Sequence, residues 1–226
     1  ALAMGAGISL LFYRRVLEIL TRPAGDIRLI FTHPSEAAVQ ILNIALFSGF
    51  VLAFPVFLYQ VWAFVSPGLT PREKNWFSWF IFPSLVLFLT GLLFGYFILL
   101  PLLLKFLLSL GGGYFEPMLR ISSYISFVLW ILLICGIIFE MPMISLLLTI
   151  TGIMTPAFLI QKWRYFVLGI FVVAAIITPP DVFSQILVAV PMLFLFGLSC
   201  IISIVGSKWK GREKRSEPSR GISLSE

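Results

Sequence analysis

The chain has 226 residues, of which 60% are hydrophobic and 12% charged, with a mean hydropathy of +1.05. Ordinary soluble domains carry about 25% charged residues, and a fold of this size has too little interior to hide so much apolar surface. A water-soluble globular domain is therefore excluded, and an all-α polytopic membrane protein is expected. The formal net charge is +6. The basic residues stand at the ends of apolar runs and in the C-terminal stretch, which suits a membrane surface and gives no case for nucleic acid. Cys135 and Cys200 lie within apolar runs and read as small buried hydrophobes. His33 is the single histidine, so no histidine-built metal cluster is expected.

A helical span needs about 20 apolar residues. Ala1–Phe12 is shorter than that and reads as the distal part of a first span, closed by Arg14 and Arg15. Residues Arg14–Leu20 set Val16, Leu17, Ile19 and Leu20 against Arg14, Arg15 and Glu18, the pattern of an interfacial amphipathic helix. Ala37–Phe64 is the first complete span, with a kink expected at Pro55. Tyr59 and Trp62 read as interfacial anchors. In the loop that follows, Thr70, Pro71 and Glu73 form a capping-box pattern. Glu73 sits between Arg72 and Lys74, where it either caps the helix or receives a cationic ligand.

Asn75–Leu110 runs for about 36 residues, about 54 Å as a straight helix against a hydrocarbon core of about 30 Å. Pro83 and Pro101 are expected to divide or bend it, and Gly111-Gly-Gly113 ends it. Tyr124–Ile150 follows, interrupted by Glu140 and Pro142; Tyr165–Ile177 is short and stops at Thr178-Pro-Pro-Asp181. Val182–Val205 completes six spans, and from Gly206 the chain reads as a basic, disordered tail. The domain organisation is thus one transmembrane unit over 1–206 and a tail over 207–226. Ten of the 16 basic residues then fall on the side of the tail, which sets both termini in the cytoplasm.

Glu140 carries the sharpest signal, because a carboxylate inside a span must face protein or water. It marks either a functional polar notch beside the Pro142 kink or a structural lock to another helix, with Gln185 and Asn43 as candidate partners. Asp181 either caps the last helix or joins Gln185, one turn away, in a recognition groove. No nucleotide-binding loop, zinc pattern or nucleophile–base pair occurs, so neither enzymatic activity nor a cofactor is expected.

Several blocks in order resemble the TatC family, the polytopic subunits of the twin-arginine protein translocase. They are Ala53-Phe-Pro-Val-Phe-Leu-Tyr-Gln-Val-Trp-Ala-Phe-Val-Ser-Pro67 with Arg72-Glu-Lys74, Gly91-Leu-Leu-Phe-Gly-Tyr-Phe97 with Pro101, and Tyr124-Ile-Ser-Phe127 leading to Phe139-Glu-Met-Pro142. Gly152-Ile-Met-Thr155 with Lys162-Trp-Arg-Tyr165, and Ile177-Thr-Pro-Pro-Asp-Val-Phe-Ser-Gln185 with Pro191, complete the set, so the likeness covers about residues 12–206.

The resemblance implies a concave, glove-like bundle in the bacterial inner membrane that recognises twin-arginine signal peptides. It also implies export of folded proteins driven by the proton-motive force, with TatA-like and TatB-like single-span partners and self-association in a receptor complex. It assigns Phe64 and Glu73 to the cytoplasmic signal-peptide site, Glu140 to the membrane carboxylate of the concave face, Asp181 and Gln185 to an outer polar pair, and Pro55 to a family bend. The family carries a cytoplasmic His-x-x-Glu-Leu-Arg-x-Arg segment ahead of its first span, whereas Ala1 falls within that span. The competing expectation is a proton-coupled small-solute transporter or channel using Glu140; a purely structural membrane scaffold is a third.

Overall fold

The computed structural model describes residues 2–25, 29–30, 32–65, 77–109, 118–178 and 181–215. In order, the helices are α1 (Leu2–Leu11), α2 (Tyr13–Thr21), α3 (Pro34–Val65), α4 (Phe77–Phe94), α5 (Leu100–Ser109), α6 (Ile121–Phe139), α7 (Met141–Ile150), α8 (Pro156–Gln161), α9 (Trp163–Ile177) and α10 (Val182–Arg215). A π-helical turn over Gly95–Leu99 joins α4 to α5. Two short strands, β1 (Leu29–Ile30) and β2 (Leu119–Arg120), pair in parallel, with Leu29 opposite Leu119 and Ile30 opposite Arg120. Helix is what lipid demands, because each backbone N–H and C=O must find its partner within the segment.

Among the described residues, four helical stretches are long and apolar enough to cross a bilayer: Ser35–Phe64, Phe80–Ser109, Ile121–Ile150 and Val182–Ser207. The remaining two apolar helices, α1 and α9, are shorter, with 10 and 15 residues. These six agree with the expected spans, but the prolines act unequally. The helix is continuous on both sides of Pro55 and of Pro83, so Pro83 does not divide its span. Pro101 has no N–H to give to the carbonyl four residues back. The π turn lies just before it, and the Leu100 N–H there bonds to the Gly95 carbonyl, five residues back. At the expected interruption by Glu140 and Pro142, α6 ends at Phe139 and α7 starts at Met141 with Pro142 in its first turn. The stretch read as a tail from Gly206 begins as helix, since α10 stays helical to Arg215. The capping box at Thr70–Glu73 and the Gly111–Gly113 loop lie outside the described residues.

Lipid removes the hydrophobic drive for helices to associate, so they must fit closely or exchange hydrogen bonds. α1 packs on α3 where Gly5 meets Gly49. A Cβ at Gly49 would stand 2.5 Å from the Ala6 backbone nitrogen, and one at Gly5 2.7 Å from the Gly49 carbonyl oxygen. α4 meets α6 in the same way, with Gly91 against the Cys135 carbonyl and Gly136 against the Phe88 ring. The fully buried Phe88 stacks on Phe54 of α3 with ring centroids 3.5 Å apart. α7 and α10 are joined by hydroxyls: Thr149 and Ser203 share a 2.6 Å hydrogen bond, and Ser145 Oγ donates to the Ser199 carbonyl at 3.2 Å.

α2 is tied down from two spans. The Tyr96 hydroxyl donates to the Ile19 carbonyl at 2.6 Å, and the Tyr124 hydroxyl to the Leu20 carbonyl at 2.9 Å. Leu20 is buried and Val16 and Leu17 pack on the core, as the amphipathic pattern requires; Ile19, placed with them in the sequence reading, is exposed. Beside this end of the bundle, Arg120 donates to Glu36, whose carboxylate also accepts from the Thr32 hydroxyl at 2.7 Å.

The Gly49 contact is backbone against backbone, so no side-chain rotation can relieve a larger residue. Gly49→Val is expected to destabilise the protein by about 1–3 kcal/mol or to detach α1. Disulfide crosslinking between cysteines placed on α1 and α3, together with thermal unfolding in detergent, measures this; unchanged crosslinking and stability would contradict the packing.

Candidate functional site

Glu140 stands at the joint between α6 and α7, about ten residues from the end of its span, or about 15 Å of helix. The joint exists because Pro142 lacks a donor: the Glu140 N–H turns back to the Ile137 carbonyl at 3.1 Å, and the α7 ladder resumes with Ile144 N–H on the Glu140 carbonyl at 2.9 Å. The side chain is 6% exposed. Its Oε2 accepts a hydrogen bond from the Ser84 hydroxyl of α4. Its Oε1 has no protein partner among the described residues. The close approach of α4 and α6 at Gly91 and Gly136 carries Ser84 within reach.

The polar partner is therefore Ser84, not Gln185 or Asn43. Asn43 donates to Gln40 within α3 at 3.4 Å, and Gln185 Nε2 donates to the Phe171 carbonyl of α9 at 3.0 Å. Ser84 left a trace in the sequence, as a hydroxyl directly after Pro83 in an otherwise apolar run. The Tyr96 and Tyr124 bonds to α2 left none, because an aromatic near the end of a span reads equally well as an interfacial anchor.

At the start of α10, Asp181 Oδ1 accepts from the Ser184 N–H at 2.7 Å, the helix cap expected of it. Asp181 Oδ2 and the fully buried Ser184 hydroxyl have no partner among the described residues. Asp181 and Gln185 thus share one helical turn, which Asp181 caps and Gln185 ties to α9. Phe64, at the far end of α3, is 86% exposed. Glu73 lies outside the described residues. The four described positions, Phe64, Glu140, Asp181 and Gln185, do not form one cluster: they mark two ends of the bundle and a point inside it.

Two open grooves flank α6 and meet at Ile137. One, of about 510 Å³, lies between α3 and α6 and includes Asn43, Phe50 and Trp130. The other, of about 660 Å³, lies between α6–α7 and α9 and includes Ile138, Met141, Lys162 and Phe166. Glu140 sits between Ile137 and Met141 in sequence but turns to α4, so its hydrogen bond lies behind the groove wall. The arrangement offers long apolar channels with few polar groups, suited to holding a hydrophobic segment.

Residues 1–191 match the family model for TatC, the Sec-independent protein translocase protein. The chain belongs to the TatC family. It is similar to the TatC of Aquifex aeolicus, 40% identical over 216 residues that span 93% of this chain and 90% of that protein. The TatC of Carboxydothermus hydrogenoformans is 37% identical over 206 residues, 90% of this chain and 85% of that one. A crystal structure of the twin arginine translocase receptor TatC superimposes with a TM-score of 0.82 at 39% identity, covering 92% of this chain and 93% of that one. A second, of the same receptor in DDM, also gives 0.82, at 41% identity and coverages of 89% and 92%. The TatC match decides between the translocase and solute-transporter expectations, and Phe64, Glu73, Glu140, Asp181 and Gln185 all fall within its 1–191 stretch.

In this TatC-family chain, Ser84→Ala strips the donor from a buried carboxylate and is expected to cost about 1–3 kcal/mol. In a Glu140→Ala background the same change should cost less than about 0.5 kcal/mol, because nothing is then left unpaired. A double-mutant cycle by unfolding in mixed micelles measures the coupling; strictly additive costs would show that the two side chains act independently.

Proposed function

We propose that this chain is the signal-peptide receptor and core subunit of a twin-arginine translocase. The observation that carries the reading is its match, over nine-tenths of both chains and at 39% identity, to a structure of that receptor. The protein performs no bond-making step. It binds twin-arginine signal peptides, works with TatA-like and TatB-like single-span helices and with further copies of itself, and moves folded cargo at the expense of the proton-motive force. Its place is the bacterial cytoplasmic membrane, with both termini inside.

Phe64 and Glu73 form the inner peptide site in this reading. Phe64 stands in the last turn of α3 with its ring in the open, and Glu73 supplies a carboxylate nine positions on. A carboxylate grips guanidinium through paired hydrogen bonds that an ammonium cannot match, which accounts for a preference for arginine. Glu140 serves as the membrane carboxylate of the concave face, with one oxygen held by Ser84 and the other buried without a described partner. Asp181 and Gln185 form the outer polar pair, Asp181 capping the start of α10 and Gln185 holding it against α9. A proton-coupled solute path would need titratable groups in series through the bilayer. Among the described carboxylates the exposed Glu18 of α2 pairs with Arg22, Glu36 and Asp181 sit at helix starts, and Glu140 is locked to Ser84, a spacing that favours the receptor.

Glu73→Gln keeps size and capping ability but removes the charge. Crosslinking of a twin-arginine peptide should fall at least about five-fold, the ratio for roughly 1 kcal/mol of lost charge-assisted bonding. Unchanged crosslinking would leave Glu73 as a helix cap alone. The topology is checked with Tyr114→Cys, which should react with an impermeant thiol reagent from outside; labelling from the cytoplasm would invert the assignment.

A further inference from the structure

The groove between α6–α7 and α9 has a polarity that its companion lacks. From Lys162, the residue just before α9, its lining runs down that helix through Tyr165, Phe166, Gly169, Ile170 and Val173, one face at spacings of three and four. The only charge on the lining, Lys162, stands at one end, and everything deeper is apolar. Lys162 lies 5.6 Å from the centre of the Tyr165 ring, and among the described residues no carboxylate pairs with it. From Lys162 to Val173 the stripe rises about 16 Å, close to half of a hydrocarbon core of about 30 Å. Gly169 keeps the channel wide, since a Cβ there would meet nothing within 4 Å.

We propose that this groove is a binding site for one anionic phospholipid, with an acyl chain between α6 and α9 and its phosphate on Lys162. Three features select that occupant. The stripe is one leaflet deep, the length of a lipid tail and about half of what a spanning helix requires. A single cation stands at the depth where a phosphate would lie, flanked by a tyrosine of the kind that lines membrane interfaces. The floor is apolar and about 660 Å³ in volume, room for a chain without any polar group to satisfy. The chemistry holds whichever face of the membrane Lys162 occupies, so the inference rests on the membrane location and not on the receptor reading.

The test uses the full chain, stripped of lipid in a non-ionic detergent and offered phosphatidylglycerol or phosphatidylcholine, with retention read by native mass spectrometry. Wild type should retain one phosphatidylglycerol about five-fold more strongly than phosphatidylcholine, the ratio for about 1 kcal/mol from one basic residue beside an anionic headgroup. Lys162→Gln should bring that ratio to about one, and Lys162→Arg should restore it. Gly169→Leu should abolish retention of both lipids; if it fails to fold, the Gln and Arg variants still decide. Equal retention by wild type, a ratio unmoved by Lys162→Gln, or retention undiminished in a folded Gly169→Leu protein would each overturn the site. Displacement of phosphatidylglycerol by glycerol phosphate alone would also overturn it, leaving an anion site without a lipid, as would a copurified single-span helix that blocks the groove to lipid. Twin-arginine peptide binding, measured on the same samples, separates the two readings. Peptide binding without lipid preference sinks the lipid site alone, and lipid preference without peptide binding sinks the receptor alone.

Discussion

Helices in a bilayer gain nothing by hiding leucine from lipid, so this bundle is held where backbones can touch or hydroxyls can reach across. Gly5 on Gly49, Gly91 and Gly136 between α4 and α6, and the Ser145–Ser199 and Thr149–Ser203 bonds between α7 and α10 are its fixed points. The Ser84–Glu140 bond depends on one of them. Without the glycines that let α4 close on α6, the serine would stand too far away and the carboxylate would need water or a cation instead. The most polar feature of the membrane interior is thus positioned by the smallest residues near it.

The same economy explains what faces lipid. Among the described residues Trp130, Phe82, Phe194 and Ile176 are all largely exposed, as suits a protein whose solvent is hydrocarbon. The deeply buried set instead includes Ser184, Ser199 and Ser203 beside Phe88 and Leu103. Small hydroxyl residues permit close approach, and two of these find a partner: Ser199 returns its donor to the Leu195 carbonyl of its own helix at 2.8 Å, and Ser203 pairs with Thr149 across the helix contact.

Much of this was legible in the sequence because spans announce themselves by length and composition. The Glu140–Pro142 joint and the Asp181 cap were legible too, each being a local matter of donors and acceptors a few residues apart. Partner choice was not. Ser84 and Glu140 are 56 positions apart, and nothing in either segment says which polar group of which helix lies opposite. The two prolines of the α4–α5 stretch show the same limit from the other side. Both lack an amide hydrogen, yet one sits in continuous helix while the other follows a π turn, because neighbouring packing decides how each free carbonyl is accommodated.

That π turn also sets the phase of the span. Up to its first residue, the buried positions are Ser84, Phe88, Gly91 and Gly95, the rhythm of a regular helix. Continued without interruption, the rhythm would bury Ile98 and Leu102, yet both are exposed, and Leu99 and Leu103 are buried instead. The wide turn takes up one extra residue, which rotates all that follows by about 100° relative to an unbroken helix. The chain here behaves like an α-helix that has absorbed a single-residue insertion. Its two halves consequently answer to different neighbours: the first is keyed to α6 through glycine, while the second presents its leucines to the core beneath α2.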